Sequence, residues 1–86
     1  MIRKTVTILN PSGLQIDVAG AFCSLAMDYE SKIYFKYRGS NEANAKSVLS
    51  ILGAGIRKNE NIDLICEGSD EEEAMDALCK LLSREE

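Results

Sequence analysis

Hydrophobic and polar residues alternate along three stretches of the chain, and this alternation is typical of half-buried β-strands. The stretches are residues 2–9, 32–38 and 62–67. One face of the first stretch carries Ile2, Lys4, Val6 and Ile8, and one face of the third carries Ile62, Leu64 and Cys66. In the second stretch, the inward-facing residues are Ile33, Phe35 and Tyr37. The composition of residues 39–43 predicts a turn, with room for a short further strand around it.

Apolar residues recur every three or four positions in three other segments, which predicts amphipathic helices. The first helix spans about residues 17–29, and its inner face carries Val18, Phe22, Leu25 and Tyr29. A short second helix begins at Ser47, a favourable capping residue, and ends at Gly53 or Gly55.

The third helix follows a break at Gly68 and Ser69. Asp70 and Glu73 have the spacing of a capping box, with aspartate in place of the usual serine or threonine. The inward-facing residues of this helix are Ala74, Leu78 and Leu81. The predicted order is therefore β-α-β-β-α-β-α, which favours a two-layer α+β domain with its helices on one face of an antiparallel sheet.

Length and charge narrow the possible functions. The 86 residues suit a single small domain over residues 1–86. The net charge is −4 and the basic residues are scattered, so we expect no affinity for nucleic acid or for an anionic membrane. No apolar run has the length of a membrane span, and residues 1–9 alternate where a signal peptide would be continuously apolar. We therefore expect a cytoplasmic protein.

The chain contains few side chains that could act in catalysis or bind a metal. The chain contains no histidine, and its three cysteines, Cys23, Cys66 and Cys79, lie far apart. This spacing predicts buried, reduced thiols and neither a disulfide framework nor a metal site. A serine or cysteine nucleophile would lack a histidine base, so a binding role without a cofactor is favoured over catalysis.

The segment NPSGLQIDVAG, residues 10–20, places an acidic residue where a helix start would favour binding of an anion. It forms a predicted turn that opens the first helix, and exposed N–H groups at a helix start favour anions. Gln15 is neutral, however, and Asp17 is negative. Either the Asp17 carboxylate occupies this anion position from within the chain, or Asp17 is simply a good residue for starting a helix.

Several motifs resemble those of the HPr family, the small phosphocarriers of the bacterial sugar phosphotransferase system. They are Gly13-Leu14 before the first helix, Asn44-Ala45-Lys46-Ser47 opening the second, and Gly68-Ser69-Asp70-Glu71-Glu72-Glu73-Ala74 opening the third. The resemblance covers essentially the whole chain and includes the element order. It implies an HPr-like open-faced sandwich, with a four-stranded antiparallel sheet in the order 1-4-2-3 and three helices on one face.

The resemblance also implies a degenerate phosphocarrier site. The family motif is Gly-Leu/Ile-His-Ala-Arg-Pro, whose histidine carries the phosphate. Here Gln15, Asp17 and Val18 stand where the family has histidine, arginine and proline. An amide cannot form a phosphoramidate and a carboxylate repels phosphate, so we expect no phosphate relay from this site.

A histidine-less branch of the family, the catabolite-repression HPr-like proteins, also carries glutamine in place of the histidine. It retains a serine that a bifunctional HPr kinase/phosphorylase phosphorylates, and Ser47 corresponds to that serine. Ser47 is equally explained as a helix cap. The apolar residues that follow it, Val48, Leu49 and Leu52, correspond to a partner-docking patch of the family, although they could also be core residues.

The resemblance implies protein partners, namely HPr kinase/phosphorylase and a catabolite-control transcriptional repressor. That repressor contacts the family arginine, so Asp17 argues against its binding here. Paralogues of this type can exchange their first strand, with Asn10-Pro11 as the corresponding hinge, which allows a monomer or a weak or strand-swapped dimer.

The resemblance thus implies a regulatory protein of carbon metabolism. One alternative is a binding module that has lost both phosphorylation roles. Another is a phosphotransfer protein with a different acceptor, Cys23 or Asp17, which the lack of a basic residue beside the site disfavours.

Overall fold

The computed structural model describes residues 1–84, in which four strands and three helices alternate in the predicted order. The strands are β1 (Ile2–Thr7), β2 (Lys32–Tyr37), β3 (Asn41–Asn44) and β4 (Asn61–Glu67). The helices are α1 (Ile16–Met27), α2 (Val48–Ala54) and α3 (Glu71–Leu82). The predicted fold class is confirmed. The last two residues of the predicted domain, 85–86, lie outside the described residues.

The four strands form one antiparallel sheet in the order β1-β4-β2-β3, as predicted. Leu64 of β4 lies opposite Lys4 of β1 on one side and Phe35 of β2 on the other. Strands β1 and β3 therefore form the two edges. The first strand is shorter than the predicted stretch, because Thr7 pairs with Asn61, the first residue of β4; the buried Ile8 instead bonds to Asn59 and Glu60, just before that strand.

The core lies between the sheet and the helices. The rings of Phe22 in α1 and Phe35 in β2 stack with their centroids 5.9 Å apart. On α3 the predicted inner residues are buried, as are Met75 and Leu82. The predicted thiol burial is only partly correct, since Cys66 is buried but Cys23 and Cys79 are half-buried; all three are free.

The buried stripe of α1 differs from the prediction. Its fully buried residues are Ala19, Phe22 and Ala26. Val18 and Leu25 are half-buried and flank this stripe. The buried stripe therefore consists of two alanines and one phenylalanine, and two larger aliphatic residues lie at its margins.

Strand β3 is fixed to α2 as well as to β2. The N–H of Asn44 donates to Ser50 Oγ at 2.8 Å, and the Asn44 carbonyl accepts from the N–H of Ser47 at 3.2 Å. The next residue, Ala45, donates its N–H to the Ile33 carbonyl at 3.1 Å. The end of the edge strand and the start of α2 are therefore one hydrogen-bonded unit.

Asp70 precedes α3 without forming the predicted capping box, because its side chain makes no hydrogen bond to that helix. Its carboxylate instead accepts hydrogen bonds from Ser31 and from the N–H of Glu30. The N–H of Gly68 donates to Glu71 at 3.1 Å. The capping position is therefore used to hold the segment between α1 and β2.

Candidate functional site

The degenerate phosphocarrier segment predicted from the sequence lies at the start of α1, on the surface. Gln15 is the N-cap residue and makes no side-chain cap hydrogen bond. Gln15, Ile16 and Asp17 are all exposed. Within residues 1–84, the Asp17 carboxylate has neither a hydrogen bond nor an ion pair. Its place in the first turn suits the helix dipole, but it does not bind the N–H groups there.

The loop before α1 is in close contact with the segment that follows α2. Gly13 has φ +68°, and a Cβ atom there would lie 2.4 Å from the Ile56 oxygen and 2.8 Å from Arg57 Cα. The N–H of Leu14 donates to the Ile56 carbonyl at 2.9 Å. Gly13 therefore permits an approach that a larger residue would prevent.

The base of the same loop is anchored to the end of α3. The side-chain amide of Asn10 is buried and donates to the Leu81 carbonyl at 3.1 Å, while the N–H of Leu9 donates to the Leu82 carbonyl at 3.0 Å. In the part of the chain that the structure describes, Asn10 Oδ1 has no partner. These bonds satisfy two carbonyls that the helix end leaves free.

Ser47 lies at the start of α2, where the sequence placed it. Its hydroxyl accepts a hydrogen bond from the N–H of Ser50 at 3.2 Å, so it is an N-cap. The side chain is half-buried. The neighbouring Lys46 donates from Nζ to the Tyr29 carbonyl at 2.7 Å, which joins the start of α2 to the segment after α1.

Of the three predicted docking-patch residues, Leu49 is the most exposed. Its relative exposure is 82%, whereas Val48 and Leu52 are half-buried and pack against the core. Sequence reasoning missed two exposed apolar residues of α1, Ile16 at 67% and Met27 at 62%. Both lie outside the inner face predicted for that helix. Apolar residues outside the inner face are expected to be exposed, so the sequence pattern could have identified them.

We also searched the described residues for metal sites and for membrane-spanning helices. No group of three or more acidic or cysteine side chains within residues 1–84 could hold a metal ion. No helix among the same residues is both long and apolar enough to span a membrane.

Comparisons with known proteins show to which family the chain is similar. The family model described as the PTS HPr component phosphorylation site matches residues 2–84. The HPr-like protein Crh of Halalkalibacterium halodurans is 35% identical over 85 residues, which are 99% of this chain and 100% of that protein.

Solved structures show the same fold. HPr-C-His from Thermoanaerobacter tengcongensis has a TM-score of 0.90 at 34% identity, over 95% of this chain and 91% of that one. Crh of Bacillus subtilis, a catabolite repression protein whose crystal structure is a swapped dimer, has a TM-score of 0.78 at 26% identity, over 99% and 97% of the two chains. The chain belongs to the PTS HPr family.

Proposed function

We propose that this protein is a regulatory member of the HPr family that does not carry phosphate on a histidine. Gln15 occupies the position of the phosphocarrier histidine, and the protein acts in carbon catabolite control through phosphorylation of Ser47. It is not an enzyme, and its place of action is the cytoplasm.

The chemistry of residues 15–18 supports the loss of phosphate transfer. The whole chain lacks histidine. An amide nitrogen does not act as a nucleophile toward a phosphoryl donor, and the exposed Asp17 carboxylate would repel an approaching phosphate. Val18 takes the remaining position of the family motif, so the three functional residues of that motif are all replaced.

The observation that carries the proposal is the position of Ser47 at the start of α2, two residues before the exposed side chain of Leu49. A phosphate there would add a charge of about −1.5 to −2, and its oxygens could accept the hydrogen bond from the Ser50 N–H that the hydroxyl now accepts. The modification would thus change the charge beside the docking patch, Val48, Leu49 and Leu52, without requiring α2 to unfold.

The partners of such a protein are an HPr kinase/phosphorylase and a binding protein that distinguishes the phosphorylated form. A catabolite-control transcriptional repressor is the family candidate for the second role. Because Asp17 reverses the charge of the family arginine, we expect weaker repressor binding than an arginine-bearing relative shows. Replacement of Asp17 by arginine should increase that binding.

The direct test is intact-mass analysis after incubation with ATP and an HPr kinase. The wild-type protein should gain a single phosphate, and Ser47→Ala should gain none. Ser47→Asn supplies a matched control, because asparagine preserves the helix cap without the hydroxyl. Ser50→Ala should still be phosphorylated. If authentic HPr is labelled in parallel and this protein is not, the Ser47 assignment is wrong.

A second candidate function is a protein-binding module that uses the docking patch without phosphorylation. The cap hydrogen bond of Ser47 favours it, since this bond alone explains a serine at that position. A partner captured equally by wild-type protein and Ser47→Ala, but not by Leu49→Asp, would support this function.

The assembly state belongs to the same proposal. We expect a monomer, or a weak or strand-swapped dimer with Asn10-Pro11 as the hinge, because the related Crh forms a swapped dimer. Light scattering across a range of concentrations would separate these states.

A further inference from the structure

Arg38, directly after β2, has an unusual backbone conformation. Its φ is +42°, in the left-handed region that residues other than glycine rarely adopt, and Gly39 follows with φ +89°. Left-handed geometry is unfavourable for a residue with a large side chain. A strained conformation of this kind persists only when the surrounding contacts maintain it, and it is a reason to look for a role.

The guanidinium group of Arg38 binds the end of α2. Nη1 donates to the Ala54 carbonyl at 2.9 Å, and Nη2 donates to the Gly55 carbonyl at 2.8 Å. Carbonyls at a helix C-terminus have no N–H partner within the helix, and a cation beside them suits the helix dipole. The arginine therefore caps α2 from a different part of the chain.

Glu60 orients the same guanidinium group. Nη2 lies 2.8 Å from Glu60 Oε1 and 2.9 Å from Oε2. Glu60 Oε2 also accepts the N–H of Arg57 at 3.0 Å. The hydrogen bond from Arg38 holds the pKa of the Glu60 carboxyl below its ordinary value.

The segment after α2 is held from its other side as well. Gly13 and Leu14 pack against Ile56, as described above. Helix α2 has only seven residues and is too short to be stable alone, so its position depends on such external contacts. Lysine in place of Arg38 could not make the same set of bonds, because one ammonium group lacks the planar fork of donors.

We propose that Arg38 is a positioning residue for the docking patch: its guanidinium group fixes the C-terminal end of α2 and so determines how Leu49 and Leu52 are presented to a partner. The inference rests on the proposed function in one respect, which is that α2 contacts the partner. The fixing of α2 itself can be tested in the free protein.

The first measurement is amide hydrogen exchange in the free protein, comparing three variants with the wild type. Arg38→Asn tolerates the left-handed backbone but lacks the guanidinium group. Arg38→Lys retains the charge without the fork, and Lys58→Gln removes a nearby exposed positive charge as a matched control.

In both Arg38 variants, the Ile51 and Gly55 amides should exchange about fivefold faster relative to amides of α3, the size of effect expected from a partly exposed charge-assisted contact. Lys58→Gln should leave them unchanged. Equal exchange in Arg38→Asn and wild type, or full protection restored in Arg38→Lys, would overturn the proposal.

The second measurement concerns the partner. With HPr kinase, Arg38→Asn should raise KM for Ser47 phosphorylation by about the same fivefold factor and leave kcat unchanged, because docking is weakened and chemistry is not. An unchanged KM would show that Arg38 does not affect docking. If the wild-type protein takes up no phosphate, the proposed function fails, while the exchange experiment still decides whether Arg38 fixes α2.

Discussion

The Asp70 carboxylate, one position before α3, accepts a hydrogen bond from the N–H of Ser31 at 3.0 Å and another from the Ser31 hydroxyl. Ser31 is 1% exposed. A Cβ atom on Gly68 would lie 2.7 Å from Ser31 Cα, so the two segments are in direct contact. The start of β2 and the start of α3 therefore hold each other in place.

Removal of the Ser31 hydroxyl should destabilise the protein. Ser31→Ala should lower the free energy of unfolding by about 1 kcal/mol, the typical net value of a buried hydrogen bond. For a domain of this size, that corresponds to a fall in Tm of about 4–8 °C. Urea denaturation would measure it, with Ser24→Ala on the exposed face of α1 as the control. Equal losses in the two variants would contradict the role of Ser31.

Two glycine substitutions should act in opposite directions. Gly13→Ala places a Cβ atom 2.4 Å from the Ile56 oxygen in a left-handed residue, so we expect a loss of about 2 kcal/mol or more. Gly20→Ala, where a Cβ atom meets nothing within 4 Å, should stabilise α1 by about 0.5–1 kcal/mol. Thermal unfolding of both variants would check the pair, and a stable Gly13→Ala protein would rule out the close contact.

The cap at Ser47 can be separated from its proposed phosphorylation. Ser47→Ala should cost about 1 kcal/mol of stability, because the N–H of Ser50 loses its acceptor. Ser47→Asn should remain within about 0.5 kcal/mol of the wild type, since asparagine caps equally well. Chemical denaturation of unphosphorylated proteins provides the values. Equal stability of Ser47→Ala and wild type would show that the cap contributes nothing.

The protein should lose stability in acid. Hydrogen bonds from Arg38 and Arg3 lower the pKa values of Glu60 and Asp63 in the folded state, below ordinary values of 4.5 and 3.8. A carboxyl group with a lowered pKa stabilises the fold above its unfolded pKa, and this contribution is lost as the pH falls through the folded pKa.

The free energy of unfolding should therefore be nearly constant between about pH 5 and 7 and should decline below about pH 4.5. Urea titrations at several pH values would follow the decline. Glu60→Gln should make it shallower, because one of the responsible carboxyl groups is gone. A flat profile down to pH 3 would exclude these ion pairs as contributors.

The cysteines should differ in reactivity. Cys66 is 0% exposed, and burial raises its pKa to about 11, so little thiolate is present or accessible. Iodoacetamide at pH 8 should modify the half-buried Cys23 and Cys79 first and Cys66 only after denaturation. Peptide mass spectrometry would assign the sites. Modification of Cys66 at the rate of Cys79 in the native protein would contradict the observed burial.

The sequence pattern predicted those elements whose two faces differ strongly in polarity. Strand β2 alternates clearly, and Ile33 and Phe35 are buried as expected. Strand β3 shows no such alternation because only Ala43 among its residues is buried, so its pairing with β2 depends on tertiary hydrogen bonds. Ile65 was not among the expected inward residues, yet it is buried on the opposite face of β4, between its cross-strand neighbours Arg3 and Tyr34.

The candidate site was only partly predictable, because some of its contacts are local in the chain and others join distant segments. The N-cap role of Ser47 follows from local chemistry, so its position was found from sequence. The guanidinium contacts of Arg38 join residues far apart in the chain, and no local pattern encodes them. The role of Asp70 likewise could not be predicted from local sequence. Its spacing to Glu73 fits a helix cap, whereas its carboxylate accepts hydrogen bonds from Glu30 and Ser31, which lie before β2.

The hydrogen bonds of Asn44 also bear on aggregation. An edge strand normally presents unpaired N–H and C=O groups to which another chain can add. At the end of β3, the N–H of Asn44 is donated to Ser50 and its carbonyl accepts from Ser47. An incoming strand would have to break both bonds and disturb the start of α2. Addition of another strand at this end of β3 is therefore disfavoured in the folded state.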